Sequence, residues 1–589
     1  MSIFNVLSLV GGISLFLYGM HVMGEALAKT AGGKLESILE RLTNTVLKGV
    51  FLGAIVTAII QASAATTVMV VGFVNSGIMN LNQAVGIIMG ANIGTTITSW
   101  ILSLSGIEGS SIAVQLLKPT SWTPILALIG IILLMFTKKQ KNHDIGQIFL
   151  GFAVLMFGMS TMTTSVAPLS NVPEFTNLLI KFRNPLLGLL AGLVLTAIIQ
   201  SSSASVGILQ ALCATGAVTY SVAFPIIMGQ NIGTCVTTLI SAVGAKKNAK
   251  RAAFIHLYFN VVGTVVFMVG FYVIHAIVGF SFFNDRANAF GIALTHSCFN
   301  IITTVVWIPF NKLLVKLAAV SVKGQDLDDE SQYTKELNML DERFFERPTF
   351  AVAQVIKVAN RMAELSKECL VLAGEVLIGK YNKDRIDQVI GIERSIDKYE
   401  DKLGSYLVQL SSKPLNQKDS ETLSQIFECI GSFERISDHA RNIVELKEVM
   451  NEKELQFTDK ANSEIEKYVT AVSDIVTMTV DAYVAKDEAR LHEVEAFEEA
   501  IDNIDRKAKK HHIKRLQKGK CAIANSVVIE DLYINLERIA DHCSNVAATM
   551  IQVNEDDALD NHVYVNALKA GEATDFKAAV KEYTKKYSL

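Results

Sequence analysis

The sequence predicts an all-α fold, with a polytopic membrane half followed by a soluble helical half. Residues 5–315 are strongly apolar, with basic residues confined to short clusters, whereas the chain after residue 323 is rich in Glu, Asp, Lys and Arg. Each half also repeats itself, because its polar motifs recur once, further along the chain and in matching register. We therefore expect a membrane domain over 1–317, a linker over 318–345, a helical domain over 346–553 and a polar tail over 554–589.

Seven apolar stretches are long enough to cross a bilayer as helices, which requires about 20 mostly apolar residues. They are 5–27, 82–104, 122–137, 146–167, 221–243, 252–278 and 287–313. Two further apolar stretches, 47–77 and 185–217, carry polar residues at their middle. Each of these two could be one bent span or a hairpin that enters and leaves the membrane on the same side.

Basic residues in short loops decide between these alternatives, because Lys and Arg are enriched on the cytoplasmic side. Four basic regions lie at residues 29–48, 138–141, 246–251 and 312–316. All four become cytoplasmic only when both polar stretches are re-entrant hairpins. Repeat 1 (residues 5–137) then has the opposite orientation to repeat 2 (residues 146–313), which is the inverted-repeat plan of many secondary transporters.

The two polar stretches contain nearly the same sequence motif. Repeat 1 reads TAIIQASAA over 57–65 and repeat 2 reads TAIIQSSSA over 196–204, while GANIGT (90–95) returns at the same offset as GQNIGT (229–234). A helix broken inside a membrane leaves backbone groups that only protein, water or a ligand can satisfy. The N-terminus of a half-helix suits an anion, and freed carbonyls with hydroxyls suit a small cation. The candidate substrate- and ion-binding residues are Gln61, Ser63, Thr66, Thr67, Asn92, Thr95, Gln200, Ser201, Ser202, Ser203, Asn231 and Thr234.

Two simpler interpretations of the polar residues stay open. Small residues can let helices pack closely, although close packing alone does not account for a Gln with consecutive serines repeated at one offset. Histidines within the apolar stretches could be proton relays, but such residues more often cap a helix or bond a carbonyl; they are His21, His256, His275 and His296. Neither repeat has an Asp or Glu at mid-span, which argues against a carboxylate-driven proton antiporter.

The paired QSSS and GxNIGT motifs resemble the type II sodium–phosphate cotransporter family over roughly residues 5–315. The resemblance implies Na⁺-coupled movement of phosphate by alternating access, with both motif hairpins meeting at the substrate site. The stretch 200–203 matches the family motif fully. Repeat 1 departs from it, because Ala62 and Ala64 stand where the family has serines, so the Na⁺:phosphate stoichiometry stays open.

The soluble half predicts six helices in two repeats of three. Apolar residues recur at helical spacing over 349–378, 383–411, 419–449, 458–486, 488–517 and 526–552. ERISDH (434–439) returns as ERIADH (537–542), and in each copy a Glu, an Asp and an Asn spaced by four residues share one stripe of a helix. Stacked acids repel one another, so each stripe is either a metal site or an ordinary solvated face with salt bridges to Arg435 and Arg441.

This half resembles PhoU, the two-repeat helical regulator of phosphate uptake, over roughly residues 346–553. The resemblance implies an iron- or zinc-type metal cluster at Glu434, Asp438, Asn442, Glu537, Asp541 and Asn545. Weaker candidates from the neighbouring helices are Glu393, Asp397, Glu498 and Asp502. A regulatory role linked to phosphate also follows from the resemblance.

The resulting hypothesis is a multi-pass symporter of the cell membrane with a cytoplasmic PhoU-like domain, whose partners are inorganic phosphate, sodium ions and membrane lipid. Nucleotide-binding loops, nucleophile elbows and zinc-protease motifs are absent from the sequence, so we expect neither an enzyme nor a nucleic-acid partner. Two alternatives stay open, a membrane-anchored phosphate sensor without flux and a transporter of another oxyanion. The sequence also leaves open the direction of transport and whether the chain forms a homo-oligomer.

Overall fold

A computed structural model of the chain describes residues 3–31, 45–106, 118–324, 332–552 and 574–589. The chain divides into two compact units, Met1–Glu330 and Ser331–Leu589. The described residues are helical apart from turns and one isolated β-bridge between Thr219 and Arg286. The predicted all-α fold is therefore confirmed.

The first unit contains the apolar helices. In its described part they are α1 (Ile3–Ala31), α2 (Val46–Ile60), α3 (Ser63–Asn75), α4 (Leu81–Ser103), α5 (Pro119–Phe136), α6 (Gln140–Val166), α7 (Pro173–Lys181), α8 (Pro185–Ile199), α9 (Ser202–Cys213), α10 (Tyr220–Gly233), α11 (Cys235–Ser241), α12 (Lys247–Val278), α13 (Ala289–Trp307) and α14 (Asn311–Ser321). Six stretches of the described chain are long and apolar enough to cross a membrane: α1, α4, α6, α10 with α11, α12 and α13. The predicted span 122–137 falls on α5, which is one of the shorter apolar helices together with α2, α3, α8 and α9.

Glycines set the distance between α2 and α4. A Cβ added at Gly90 would lie 2.0 Å from the carbonyl oxygen of Val50, and one at Gly94 would lie 2.5 Å from that of Ala54, so only glycine permits this approach. Residue numbers rise together along the interface, so α2 and α4 run parallel. The intervening α3 therefore returns the chain, and we call α2 with α3 hairpin 1 (46–75).

Repeat 2 has the same arrangement at the matching positions. A Cβ at Gly229 would lie 1.9 Å from the carbonyl oxygen of Leu189, and one at Gly233 would lie 2.7 Å from that of Leu193. Helices α8 and α10 are therefore parallel as well, and α8 with α9 form hairpin 2 (185–213). That the two hairpins are re-entrant in a bilayer stays a prediction.

The first helices of the two repeats, α1 and α6, pack through a reciprocal set of glycines. A Cβ at Gly19 would lie 2.7 Å from the carbonyl oxygen of Gly151, and one at Gly158 would lie 2.8 Å from that of Gly12. Since Gly151 and Gly158 are the counterparts of Gly12 and Gly19, each helix presents the same patch to the other, as in a two-fold interface. The early residues of one helix meet the late residues of the other, so α1 and α6 run antiparallel. This supports the inverted orientation of the repeats, which stays a prediction.

The second unit is a helical bundle. Its described helices are α15 (Gln332–Leu337), α16 (Pro348–Ile378), α17 (Lys383–Ser411), α18 (Gln417–Glu452), α19 (Asp459–Ala485), α20 (Glu488–Gln517), α21 (Ile523–Gln552) and α22 (Thr574–Lys586). Helices α16, α17 and α18 pack on one another, as do α19, α20 and α21, and α18 packs on α21. Tyr399, Phe433 and Tyr468 are fully buried in these contacts. The six long helices agree with the predicted positions to within a few residues.

The tail contains one helix that the sequence did not indicate. Helix α22 lies on α20, with the ring of Tyr583 stacked 4.4 Å and that of Tyr587 5.3 Å from the ring of Phe497. The helix is short and polar, so its stability depends on these tertiary contacts rather than on its own pattern. Other predictions lie outside the described residues: the basic loop with Lys34 and Arg41, the acidic stretch 326–330 of the linker, and the tail over 554–573.

Candidate functional site

Hairpin 1 turns at Gln61, which ends α2 in the left-handed conformation (φ 61°, ψ 18°). Both ends of its amide are bonded, because Nε2 donates to the carbonyl of Ala58 at 2.7 Å and Oε1 accepts from Thr98 of α4 at 2.7 Å. Across the turn, the hydroxyl of Thr57 donates to that of Thr66 at 3.1 Å. Left-handed backbone is uncommon for a residue with a side chain, and here buried side-chain bonds hold it in place.

Hairpin 2 turns in the same way at Gln200 (φ 59°, ψ 22°). Its side chain, however, is exposed, whereas Gln61 is only 8% exposed. The counterparts of the bonded hydroxyls of repeat 1 are those of Thr237, Thr196 and Ser205, and within the described chain all three are buried without a hydrogen-bond partner. The two turns therefore share a backbone and differ in their side-chain bonds.

The helices that follow the two turns begin differently. In hairpin 2, Ser201 caps α9 by accepting a hydrogen bond from the backbone N–H of Ala204 at 3.2 Å. In hairpin 1, Ala62 has the capping position of α3 and, among the described residues, no side chain caps this helix. The remaining motif serines, Ser63, Ser202 and Ser203, are buried in the first turns of α3 and α9. Uncapped N–H groups at a helix N-terminus are donors suited to an anion.

Both hairpin tips reach the same face of α1. The hydroxyl of Ser201 lies 4.0 Å from the sulfur of Met20, and a Cβ added at Gly24 would lie 3.5 Å from the carbonyl oxygen of Ile60. Met20 and Gly24 are one helical turn apart, which is about 6 Å along the axis. The two glutamine turns, which adjoin Ser201 and Ile60, therefore lie against the same face of α1.

We call α4 the companion helix of hairpin 1, and α10 with α11 the companion helix of hairpin 2. Each hairpin also bonds to the companion helix of the other repeat. Thr67 of hairpin 1 bonds Thr238 of α11 through their hydroxyls at 2.8 Å. Gln210 of hairpin 2 donates to the backbone carbonyl of Ser99 in α4 at 3.0 Å. The two repeats are thus joined through the polar residues of their hairpins.

The GxNIGT residues are buried in α4 and α10 and bond to their own helices. Asn92 donates to the carbonyl of Ile88 at 2.9 Å and Asn231 to that of Ile227 at 3.0 Å. The hydroxyls of Thr95 and Thr234 donate to carbonyls one turn earlier, at 2.9 and 3.1 Å. Each amide uses one of its two N–H groups in this way, so its oxygen and its second N–H are left for a ligand or a neighbouring group.

A second pair of polar motifs escaped the sequence analysis. The pattern His-x-x-Phe-Asn occurs at 256–260 in α12 and again at 296–300 in α13. Both histidines are fully buried; His256 bonds Thr238 at 3.0 Å and His296 bonds Ser99 at 2.9 Å. Thr238 is the counterpart of Ser99, so α12 and α13 bond to equivalent positions of the two repeats. A comparison of the sequence with itself at this shorter offset would have revealed the motif.

In the soluble unit, carboxylates converge between α17 and α18. Oxygens of Glu393, Asp397 and Asp438 lie within 4.8 Å of one another. Burial and the adjacent Asp438 carboxylate raise the pKa of Glu434 to about 7. Burial also raises the pKa of Glu393, although Arg441 donates to this carboxylate at 2.9 Å. The structure thus brings the weaker candidates Glu393 and Asp397 into one cluster with the first predicted stripe.

The second stripe differs in its surroundings. Ser544, the counterpart of Arg441, donates to Glu495 at 2.6 Å, so the second repeat has no arginine at this position. Of the stripe itself, Glu537 and Asp541 are half-buried and Asn545 is exposed. Asn442 of the first stripe donates to Asn535 at 3.1 Å across the α18–α21 interface.

The first cluster fits a cation in its charge, because buried carboxylates with raised pKa values are stabilised by a positive ion. Its oxygen donors suit a hard or borderline metal. Asn442 donates through its Nδ2 atom to Asn535, which leaves its Oδ1 atom as the one that would bind an ion.

Comparisons with known proteins cover both units. The sequence model of the Na⁺/Pi-cotransporter family matches residues 15–164 and 169–288, and that of the PhoU domain matches residues 359–446 and 465–550. The uncharacterized protein YqeW of Bacillus subtilis (strain 168) is 30% identical over 313 residues, which are 53% of this chain and 96% of YqeW. No solved structure matches the chain.

Two further relatives have functional names. A protein of Escherichia coli (strain K12), provisionally named inorganic phosphate export protein YjbB, is 22% identical over 436 residues, or 74% of this chain and 76% of YjbB. The Homo sapiens sodium-dependent phosphate transport protein 2B is 41% identical over 91 residues, which are 14% of this chain and 13% of the human protein.

Proposed function

This chain belongs to the Na⁺/Pi-cotransporter family and carries a PhoU domain, and we propose that it is a sodium-coupled phosphate symporter with its substrate site at the two hairpin tips. Its place in the family and its apolar helices make it a multi-pass membrane protein with a role in phosphate transport. The coupling to sodium, the residues of the site and the regulatory role of the soluble unit are the parts that we propose.

The observation that supports the proposal is that both hairpin tips contact one face of α1, within one helical turn of each other. Each turn ends one half-helix and begins another, so carbonyl oxygens and N–H donors are offered at the same place. The N-termini of α3 and α9 would bind phosphate oxygens, and the hydroxyls with the C-terminal carbonyls of α2 and α8 would bind Na⁺. The proposed residues are Gln61, Ser63, Thr66, Thr67, Asn92, Thr95, Gln200, Ser201, Ser202, Ser203, Asn231 and Thr234.

The departure of repeat 1 from the serine motif is compatible with anion binding. Ala62 leaves the N-terminus of α3 without a side-chain cap among the described residues, whereas Ser201 caps α9. An N–H donor that is capped by Ser201 in hairpin 2 is therefore left for phosphate in hairpin 1. The alanines thus replace hydroxyl donors with backbone donors.

For the soluble unit we propose a cytoplasmic regulatory role that depends on an iron- or zinc-type metal. Glu434 and Asp438, with Glu393 and Asp397 from α17, would hold the ion in the first repeat. The corresponding second set is Glu537, Asp541 and Asn545, with Glu498 and Asp502. The bound ion would neutralise the carboxylates and tie α17 to α18.

Radiolabelled phosphate flux in proteoliposomes tests the transport proposal. With the purified chain, an inward Na⁺ gradient should give phosphate uptake that is lost when K⁺ replaces Na⁺. Binding without flux would instead support the phosphate sensor, and stronger competition by sulfate than by unlabelled phosphate would support a transporter of another oxyanion. Flux measured from loaded vesicles tests the opposite direction, which is the one that the provisional name of YjbB states for that protein.

A further inference from the structure

Equivalent groups of the two repeats are bonded around one hairpin turn and unbonded around the other. In repeat 1, Thr98 donates to Gln61 at 2.7 Å and the hydroxyl of Thr57 donates to that of Thr66 at 3.1 Å. We call these two bonds latch 1. They fix the turn of hairpin 1 to α4 and tie α2 to α3.

The matching groups of repeat 2 belong to Gln200, Thr237, Thr196 and Ser205, and we call this set latch 2. Its three hydroxyls are buried, and none has a hydrogen-bond partner among the described residues. Because the hydroxyl of Thr237 is one of these three, it is not bonded to Gln200, which is exposed. Latch 2 is therefore open in the same molecule in which latch 1 is closed.

Residue chemistry does not account for this difference. Gln is matched by Gln, Thr98 by Thr237, and Thr66 by another hydroxyl residue, Ser205. The turns themselves are alike, since their φ values are 61° and 59° and both hairpins contact the parallel helix through glycine, although α4 is continuous through Thr95 whereas its counterpart is interrupted at Thr234 between α10 and α11. Native proteins satisfy nearly all buried polar groups. Three unsatisfied hydroxyls around one turn therefore require a partner, and the bonds of repeat 1 show which partners a second conformation would supply.

The buried histidines follow the same one-sided pattern. His296 bonds Ser99 through Nδ1 at 2.9 Å, and its Nε2 lies 3.4 Å from the side-chain oxygen of Asn231. His256 bonds Thr238 through Nδ1 at 3.0 Å, but its Nε2 is buried and, in the described part of the chain, has no partner. The two-fold relation of the repeats predicts the missing partner, because the counterpart of Asn231 in repeat 1 is an asparagine as well.

We propose that the two latches close alternately. The conformation described here has latch 1 closed; in a second conformation Gln200 bonds Thr237, Thr196 bonds Ser205 and latch 1 opens. In the same step the Nε2 atom of His256 gains Asn92. Two arrangements with the same bonds in exchanged repeats form a bistable element, which is what inverted repeats provide for opening a site to alternate sides.

Alternate closing of the latches rests on the proposed transport function, but it can be measured by disulfide formation without measuring flux. Thr57→Cys with Thr66→Cys reports latch 1, and Thr196→Cys with Ser205→Cys reports latch 2. The full-length protein is oxidised in proteoliposomes without ligand, with Na⁺, and with Na⁺ and phosphate, and disulfides are counted by peptide mass spectrometry. The unmodified protein, with its seven free cysteines, gives the background.

Each pair alone should form its disulfide in part of the molecules. In the four-cysteine protein, molecules with both disulfides should be at least about tenfold rarer than the product of the two single fractions, the tenfold corresponding to about 1.4 kcal/mol of coupling between the latches. Double disulfides at the level of the product would overturn the proposal. So would a latch 2 pair that forms no disulfide in any of the three conditions.

Two matched substitutions distinguish alternation of the latches from a general loss of stability. Thr98→Val removes a hydroxyl from latch 1 and Thr237→Val removes its counterpart from latch 2. The first should lower the latch 1 disulfide fraction and raise that of latch 2, by about threefold or more, as expected for one lost hydrogen bond, and the second should do the opposite. Equal losses in both fractions would contradict alternation. Mutually exclusive disulfides in the cysteine variants, together with no Na⁺-dependent flux in the unmodified protein, would support the latches and refute sodium-coupled transport.

Discussion

The two repeats of the membrane unit share the hairpin arrangement and nearly the same motif, yet the hydrogen bonds of their side chains differ. Both end a helix at a left-handed glutamine and both pack that helix against a parallel neighbour through glycines. In repeat 1 the surrounding hydroxyls are paired, and in repeat 2 they are buried and unpaired within the described chain. The comparison shows that the duplicated motif sets the backbone of each turn but does not by itself set the side-chain bonds around it.

We expect the largest effect from the glycines that let each hairpin pack against its parallel helix. Gly90→Ala and Gly229→Ala should each abolish most folded protein, because the new Cβ would lie 2.0 and 1.9 Å from a backbone carbonyl oxygen. Gly270→Ala, where nothing lies within 4 Å of the added Cβ, is the control and should be tolerated. Size-exclusion chromatography of detergent-solubilised protein measures the folded fraction. A large loss in one repeat only would show that the two interfaces are not equivalent.

The motif serines test whether both hairpins contribute to binding. Ser202→Ala should lower phosphate flux about tenfold, as expected for loss of one hydrogen bond to a charged ligand. Its counterpart Ser63→Ala should lower flux further, because alanines flank Ser63 and no neighbouring motif hydroxyl can take its place. Initial rates in proteoliposomes give the measurement, and the exposed Ser14→Ala is the control. Unchanged flux in Ser202→Ala, with normal insertion, would leave the hairpin assignment without support.

The soluble unit extends the comparison, since equivalent acidic residues of its two repeats have different neighbours: Arg441 in the first and Ser544 in the second. A metal must displace the proton from Glu434, whose pKa is raised to about 7, so affinity should fall up to tenfold per pH unit as pH drops below 7. Glu434→Gln should bind Zn²⁺ more weakly and lose this pH slope. Isothermal titration of the full-length protein between pH 6 and 8 tests this, with the exposed Glu375→Gln as control. A slope unchanged by the substitution would assign the proton to another group.

We expect the smallest effect from the helix caps, where each repeat can be given the residue that the other has at the equivalent position. Ser201→Ala removes the cap of α9 and should lower stability by about 1 kcal/mol, while Ala62→Ser should raise it by a similar or smaller amount. Thermal unfolding in detergent compares the two variants with the unmodified protein. If Ala62→Ser stabilises the protein and weakens phosphate binding, the uncapped N–H groups of α3 are ligand donors. Stabilisation with unchanged phosphate affinity would argue against that role.

The pattern of residues was sufficient to predict the helices and the repeats. The long helices of the soluble unit agree with their apolar periodicity, and the constant offset between the two copies of the membrane motif anticipated the shared backbone of Gln61 and Gln200. Periodicity and repetition are local or pairwise properties of a sequence, so they can be read without the fold. The short helix α22 was missed because its stability comes from stacking on Phe497.

The sequence by itself therefore determined the long helices of the soluble unit, the duplicated motifs and the positions of the two glutamine turns. Only the tertiary structure decided which polar groups meet: Gln61 with Thr98 but not Gln200 with Thr237, and Glu393 with Asp438. The physical reason is that a hydrogen bond or a carboxylate cluster requires atoms a few ångströms apart. That distance is set by the packing of helices remote in sequence, and it can differ between two nearly identical phrases in one chain.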